Sequence, residues 1–258
     1  MNLLPLDVVR MLAEAGCVAP SEEADALIRA AEGDRAVLDD LVSRRVVGEP
    51  LAWLTGTTTF CDLLLVVTSG VYVPRPQTEP LARRAATFLP PEGVAVDLCT
   101  GAGAIAAVMS AAVPSARVVA TDLDAEAVRC ARRNGVEVFE GFLDDPLPTE
   151  LERMVDVMVA VAPYVPTGSI RLLPRDVQAY EPRLALDGGS EGSDLLVEIV
   201  RRSARWLGPR GRLLLELGGD QADPIGRLMR EVGFEPVDVM VDVDGDTRAI
   251  CARLGTAS

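Results

Sequence analysis

Apolar positions recur at helical spacing through the first 47 residues. Leu6, Val9 and Leu12 share one face of a run that stops at Gly16. Ser21, Glu22 and Glu23 open a second run through Ala24, Leu27, Ile28 and Ala31. Val37, Leu38, Leu41 and Val42 carry a third, which closes near Gly48-Glu49-Pro50. This spacing predicts three short amphipathic helices. Helices so short bury little apolar surface alone, so they are expected as a cap packed on a larger domain. Residues 60–67 and 71–73 then read as strands, and Thr68-Ser69-Gly70 between them predicts a hairpin connector. Pro74-Arg75-Pro76 ends that unit, and Thr78 with Glu79 opens a helix over 81–88.

From residue 93 the period alternates between strand and helix. Continuous apolar runs at 94–98, 117–121, 136–139, 155–161 and 212–217 predict buried strands. Amphipathic runs at 104–112, 125–134, 193–207 and 222–232 predict the helices between and after them. Residues 237–243 and 248–253 form an expected terminal antiparallel pair around Gly245-Asp246. The alternation predicts an α/β fold: a doubly wound, mainly parallel sheet with helices on both faces. The expected domains are residues 1–48 (helical), 49–76 (hairpin linker) and 77–258 (catalytic).

Composition narrows the function. Hydrophobic residues are 49% and aromatics only 4%, so the core is built from Ala, Val and Leu. A net charge of -14, from 39 acids against 25 bases, repels phosphate backbones and disfavours a nucleic-acid partner. The five cysteines form no C-x-x-C pair and histidine is absent, which argues against a disulfide framework and a zinc site. No metal is expected, and proton chemistry would rest on Asp, Glu, Tyr or water. No long apolar run or signal-peptide pattern opens the chain, so a cytoplasmic protein without a membrane partner is expected.

Chemistry concentrates at the end of the first sheet strand. Asp97-Leu98-Cys99-Thr100-Gly101-Ala102-Gly103 joins that strand to its helix, where glycines let backbone approach a ligand and the helix N-terminus favours negative groups. A G-x-G alone is equally a tight turn. Asp122 ends the second strand, where a carboxylate can hold both hydroxyls of a ribose. Together they predict a nucleotide-type ligand, with NAD still open, although Asp97 and the terminal antiparallel pair suit a methyltransferase better.

At this point the chain resembles a known family, the HemK/PrmC-type protein-(glutamine-N5) methyltransferases. The likeness rests on Gly48-Glu49-Pro50-Leu51-Ala52-Trp53-Leu54-Thr55-Gly56 with Phe60, and on Val73-Pro74-Arg75-Pro76-Gln77-Thr78-Glu79. Asp97 to Gly103, Tyr180-Glu181-Pro182 with Leu186-Asp187-Gly188-Gly189, Leu215-Glu216-Leu217-Gly218 with Gln221, and Gly245-Asp246-Thr247-Arg248 follow in the same order. The resemblance implies a class I, Rossmann-like, seven-stranded methyltransferase using S-adenosyl-L-methionine. It implies cofactor contacts from Pro74, Arg75, Thr78, Asp97, Thr100, Gly101, Ala102, Gly103, Asp122, Leu123, Phe142, Leu143 and Val161. It implies an acceptor site of Val161, Ala162, Pro163 and Tyr164.

The departures bear on the acceptor. The family's Asn-Pro-Pro-Tyr reads Val161-Ala162-Pro163-Tyr164 here, so the side-chain acceptor expected to orient the methylated amide is gone, while the Ala162 carbonyl and the Tyr164 ring remain. Phe142 stands where relatives carry an acid for the adenine, with Asp144 and Asp145 close behind, and Cys99 replaces the first loop glycine. Three readings follow. The leading one is an N-methyltransferase acting on a guanidinium, arginine or an arginine-like small molecule, with Glu79 and Glu181 pairing to it in a fork. The second is glutamine methylation on a peptide-chain release factor. The third is a non-catalytic relative that binds the cofactor. The partner is thus a small-molecule or peptide nitrogen, and the helical cap is a candidate homodimer contact.

Overall fold

The computed structural model describes residues 5–255; the outermost residues of the first and last expected domains, 1–4 and 256–258, lie outside these. Helices α1 (Pro5–Glu14), α2 (Pro20–Ala30) and α3 (Arg35–Val46) open the chain. α2 has proline at its first turn, which loses no hydrogen bond there. α3 is capped by Asp34, whose carboxylate accepts from the Ala36 and Val37 amides at 2.8 and 3.2 Å. Val8, Leu12, Leu27, Leu41 and Val42 pack into one small core between these helices. Arg45 of α3 pairs with the buried Glu23 of α2 at 2.6 Å.

A short helix α4 (Leu51–Thr55) leads into strands β1 (Thr57–Phe60) and β2 (Leu63–Val66), an antiparallel pair forming its own two-stranded sheet. This corrects the expected hairpin. The reversal sits at Cys61 and Asp62, with φ of 49° and 66°, and residues 60–67 are not one strand. A two-residue turn with both residues left-handed suits the strand twist, but neither residue is glycine, so the usual signal was missing. Residues 71–73 belong to no strand; Val71 is buried, and its carbonyl accepts from Trp53 Nε1 at 2.9 Å.

Helix α5 (Glu79–Phe88) precedes the main sheet. β3 (Val94–Leu98), α6 (Ala104–Ala112), β4 (Arg117–Asp122), α7 (Ala125–Arg133) and β5 (Glu137–Glu140) form one half. β6 (Val155–Ala160), α8 (Arg175–Tyr180), α9 (Asp194–Ser203), β7 (Leu207–Glu216), α10 (Ala222–Glu231), β8 (Phe234–Val241) and β9 (Thr247–Leu254) form the other. The seven strands run β5-β4-β3-β6-β7-β9-β8, with β9 antiparallel to both neighbours and the first five parallel. This is the expected mainly parallel, Rossmann-like sheet. Ala, Val and Leu side chains fill both of its faces, against α5 and α6 on one side and α9 and α10 on the other.

Two boundaries differ from expectation. α9 stops at Ser203 although apolar spacing continues to Leu207, because Trp206 and Leu207 are already entering the core ahead of β7. The register between β6 and β7 shifts at Val155/Val157, opposite the left-handed Arg210 (φ 69°) and Gly211. β3 and β6 are sequence-distant neighbours from which the chain winds outward in both directions. Their carboxyl ends form the crevice where doubly wound sheets take ligands.

Candidate functional site

The turn after β3 is built around one buried carboxylate. Asp97 is 2% exposed, and its Oδ2 accepts from Thr100 Oγ1 at 2.6 Å and from the Ala106 amide at 3.1 Å. Burial pushes its carboxyl up to about 7, against the pull of those two donors. Two oxygen-bound donors from residues three and nine positions later clamp the loop onto the first turn of α6. Cys99 takes φ 56°, and burial pushes its thiol up. Gly101 (φ 57°) faces open space on its Cβ side, whereas a Cβ on Gly103 would lie 2.9 Å from Val136 Cγ2 and 3.1 Å from Ala131 Cβ. Gly103 is therefore a packing glycine, required where the loop presses against α7.

Asp122, at the end of β4, accepts the Gly101 amide on Oδ2 at 2.8 Å and the Asp124 amide on Oδ1 at 2.9 Å. The Leu123 amide adds a further bond, and the acceptor capacity left on this carboxylate, which borders the cavity, is of the kind a ribose hydroxyl needs. Burial raises the Asp122 carboxyl, offset in part by these amides. Thr121 beside it is fully buried, and its hydroxyl has no partner.

These groups border a cavity of about 880 Å³ at the carboxyl ends of β3, β4 and β6. Its wall includes Pro74, Arg75, Thr78, Asp97, Thr100, Gly101, Ala102, Asp122, Leu123, Phe142, Leu143 and Val161 to Tyr164. The structure thus brings together nearly all the residues singled out from the sequence. Gly103, Glu79 and Glu181 are not on this wall. The Glu79 carboxylate accepts from the Cys61 amide at 3.0 Å and pairs with Arg83 at 3.4 Å, so it ties α5 to the hairpin turn. Glu181 is buried against Arg75, paired through Oε1, with Oε2 unpartnered. Asp144 and Asp145 also turn away: Asp144 accepts from Trp206 Nε1 at 2.7 Å, and Asp145 pairs with Arg202. Phe142 and Leu143 of that stretch reach the cavity, the Phe142 ring 5.9 Å from the Arg202 guanidinium.

Past β6, Ala162 is 1% exposed, and its carbonyl accepts no hydrogen bond from the described residues. Tyr164 donates its hydroxyl to Glu216 Oε1 at 3.1 Å, and its ring lines the cavity. Burial raises both groups, so the phenol stays protonated. Thr78 also bonds Glu216, and Arg248 from β9 lies on the same wall, paired with Asp242 at 2.6 Å. Glu216 and Arg248 were not singled out as site residues, although the motifs holding them were visible. Gln221 fixes the far side of the loop, donating to the carbonyls of Tyr164 and Gly192 at 3.0 and 2.9 Å. Asn134 of α7's end closes the near side: its amide bonds Val66 on both backbone groups and the Ala102 carbonyl at 2.8 Å.

The donor set fits a nucleoside cofactor: a paired-acceptor carboxylate, a turn whose one open glycine faces the cavity, and apolar walls. Comparison with known proteins agrees. The family model "Methyltransferase small domain" matches residues 81–164. A release factor glutamine methyltransferase of Geobacter sulfurreducens is 36% identical over 221 residues, 83% of this chain and 77% of that protein. A 4-amino-L-phenylalanine/4-methylamino-L-phenylalanine methyltransferase of Streptomyces pristinaespiralis is 34% identical over 251 residues, 86% of this chain and 84% of that one. A Pyrococcus furiosus methyltransferase structure, 19% identical with a TM-score of 0.57 over 84% of this chain and 100% of that chain, shares the fold. With the motifs in order, the loop after β3 in place and the relatives matching over most of their length, the chain belongs to the release factor glutamine methyltransferase family of S-adenosylmethionine-dependent enzymes.

Proposed function

We propose that this chain methylates the side-chain amide nitrogen of a glutamine on a peptide-chain release factor. The observation that carries the reading is the Ala162 carbonyl, buried on the cavity wall without a donor of its own. A buried acceptor left unmade costs about 1–3 kcal/mol, so the site is suited to an N–H from outside the chain. An amide NH₂ supplies one. The relatives named for this reaction match the chain over most of its length.

S-adenosylmethionine, when bound, supplies an electrophilic methyl group on a sulfonium centre. The chain's own residues align the nucleophile. Asp122 would hold the ribose hydroxyls, and the loop from Asp97 to Gly101 would let backbone approach the cofactor. The Ala162 carbonyl would hold one amide N–H and so orient the nitrogen. Tyr164, fixed by Glu216, would offer its ring to the positive charge. Val161 offers hydrocarbon where relatives offer an amide, so one polar contact to the reacting nitrogen is missing. A contact of that kind is typically worth ~10²–10³ in rate.

Val161 itself favours a second reading, a small amino acid carrying an amine. An amine lone pair is not delocalised into a carbonyl and needs no second acceptor to free it. The Streptomyces pristinaespiralis relative is named for such an acceptor. The guanidinium reading loses its support, because Glu79 and Glu181, the carboxylates it relied on, are engaged off the cavity wall. The test is transfer of isotope-labelled methyl from S-adenosylmethionine to three acceptors offered together: a bacterial release factor, 4-amino-L-phenylalanine and arginine. Label in the release factor supports the first reading, label in the amino-phenylalanine replaces it with the second, and label in arginine or nowhere overturns both.

A further inference from the structure

A second cavity, of about 920 Å³, lies beside the first, between α2, the β1–β2 hairpin and α8. The two adjoin: Val18, Pro74, Arg75, Asp176 and Val177 border both. Thr57, Thr58 and Thr59, three of the four residues of β1, lie along this cleft.

The hairpin register fixes which way β1's backbone points. Phe60 faces Leu63 across the two-residue turn, so Phe60 and Thr58 exchange hydrogen bonds with β2. Gly56 continues that parity, accepting from the Val67 amide at 3.0 Å. Thr57 and Thr59 therefore turn their N–H and C=O groups away from β2. The Thr57 carbonyl accepts from Thr55 Oγ1 at 3.0 Å. The Thr57 amide and both backbone groups of Thr59 have no partner among the described residues. On the opposite edge, Val66, one of the two outward residues of β2, bonds Asn134 through both its N–H and its C=O, whereas Leu64, the other, bonds none of the described residues through its backbone. The β1 edge lies open along a cleft beside the methyl-transfer cavity.

An open strand edge in a cleft is a template for an extended polypeptide. At the cleft's inner end stands the buried Arg75–Glu181 pair, whose Glu181 Oε2 lacks a partner. A small-molecule acceptor would use neither. We infer that an extended segment of the protein acceptor adds to β1 as a third strand, bonding Thr57 and Thr59 and reaching Glu181 Oε2 with a donor before its glutamine enters the cavity. This rests on the release-factor reading and adds the surface that reads the acceptor's backbone.

Residue-resolved amide exchange of the wild-type protein with S-adenosylmethionine, with and without a bacterial release factor, reads the contact directly. The expected result is slowing of at least tenfold at Thr57 and Thr59, with Thr58 little changed because its amide is already in the ladder. Thr59→Pro removes the outward N–H at an edge position where proline is tolerated. It should raise KM for the release factor at least tenfold and leave the affinity for S-adenosylmethionine within twofold. Methylation of the release factor without slowing at Thr57 and Thr59 would overturn the strand addition and leave the reaction standing. Slowing without methylation would support the docking edge and overturn the reaction. Neither slowing nor methylation overturns both.

Discussion

Position 161 decides how well this site can handle an amide. Valine puts two methyl groups where relatives place a hydrogen-bond acceptor, and the Ala162 carbonyl is left to orient the nitrogen alone. Val161→Asn should raise turnover on release factor about 10²-fold, the typical worth of one such contact, with S-adenosylmethionine affinity unchanged. Steady-state kinetics with saturating cofactor check this, and an unchanged rate would mean that the amide is oriented by something other than position 161. Glu216 acts one step back, as the positioning residue that receives the Tyr164 hydroxyl. Glu216→Gln keeps a hydrogen-bonding side chain but replaces the carboxylate that both Thr78 and Tyr164 address. It should lower kcat roughly tenfold, about 1.4 kcal/mol of transition-state alignment, with cofactor Kd within twofold. A change in Kd alone would make Glu216 a purely structural residue. Asp122 could be picked from the sequence because it sits where a strand predictably ends, and Val161 to Tyr164 because the resemblance to the family's Asn-Pro-Pro-Tyr marks them. Glu216 and Arg248 could not be assigned, because only the neighbouring places of β7 and β9 in the sheet bring them to Tyr164.

At the level of elements, Asn134 holds the β2 edge of the hairpin, while Glu79 holds its turn. Asn134 makes three hydrogen bonds, two to Val66 and one to Ala102, and so couples the hairpin to the cofactor loop. Asn134→Ala should cost about 2–3 kcal/mol at ~1 kcal/mol per bond. Denaturant unfolding would show a lower midpoint with unchanged slope, and a loss under 0.5 kcal/mol would mean water replaces the bonds without penalty. The sheet strands were legible as short continuous apolar runs, buried on both faces, and most of their helices as runs of period 3.6. The hairpin turn was not, since Cys61 and Asp62 adopt left-handed backbone without the glycine that marks it, and Gly70 drew the expectation to residues 68–70 instead. α4 and α8, five and six residues long, are too short to display a period at all.

Across the whole molecule, burial around one cavity raises the carboxyls of Asp97, Asp122 and Glu216, and of Glu181 beside it. A carboxyl raised on folding binds more protons in the native state than in the unfolded one. It therefore stabilises most below the ordinary carboxylate range near 4, and that stability is lost as pH climbs towards the native value. For Asp97 the window runs from about 4 to about 7. Asp97→Asn should flatten the decline of unfolding free energy across this window by up to about 1.4 kcal/mol per pH unit. Urea titrations at several pH values measure it, and parallel curves for the two proteins would show that Asp97 is ionised throughout. The acidic surface, at a net charge of -14, suits a basic protein acceptor better than a nucleic acid. The most direct test of the whole account is tandem mass spectrometry of a bacterial release factor after incubation with this protein and S-adenosylmethionine. The account predicts one methyl group on a glutamine side-chain nitrogen. A release factor left unmodified by protein that binds the cofactor would contradict it.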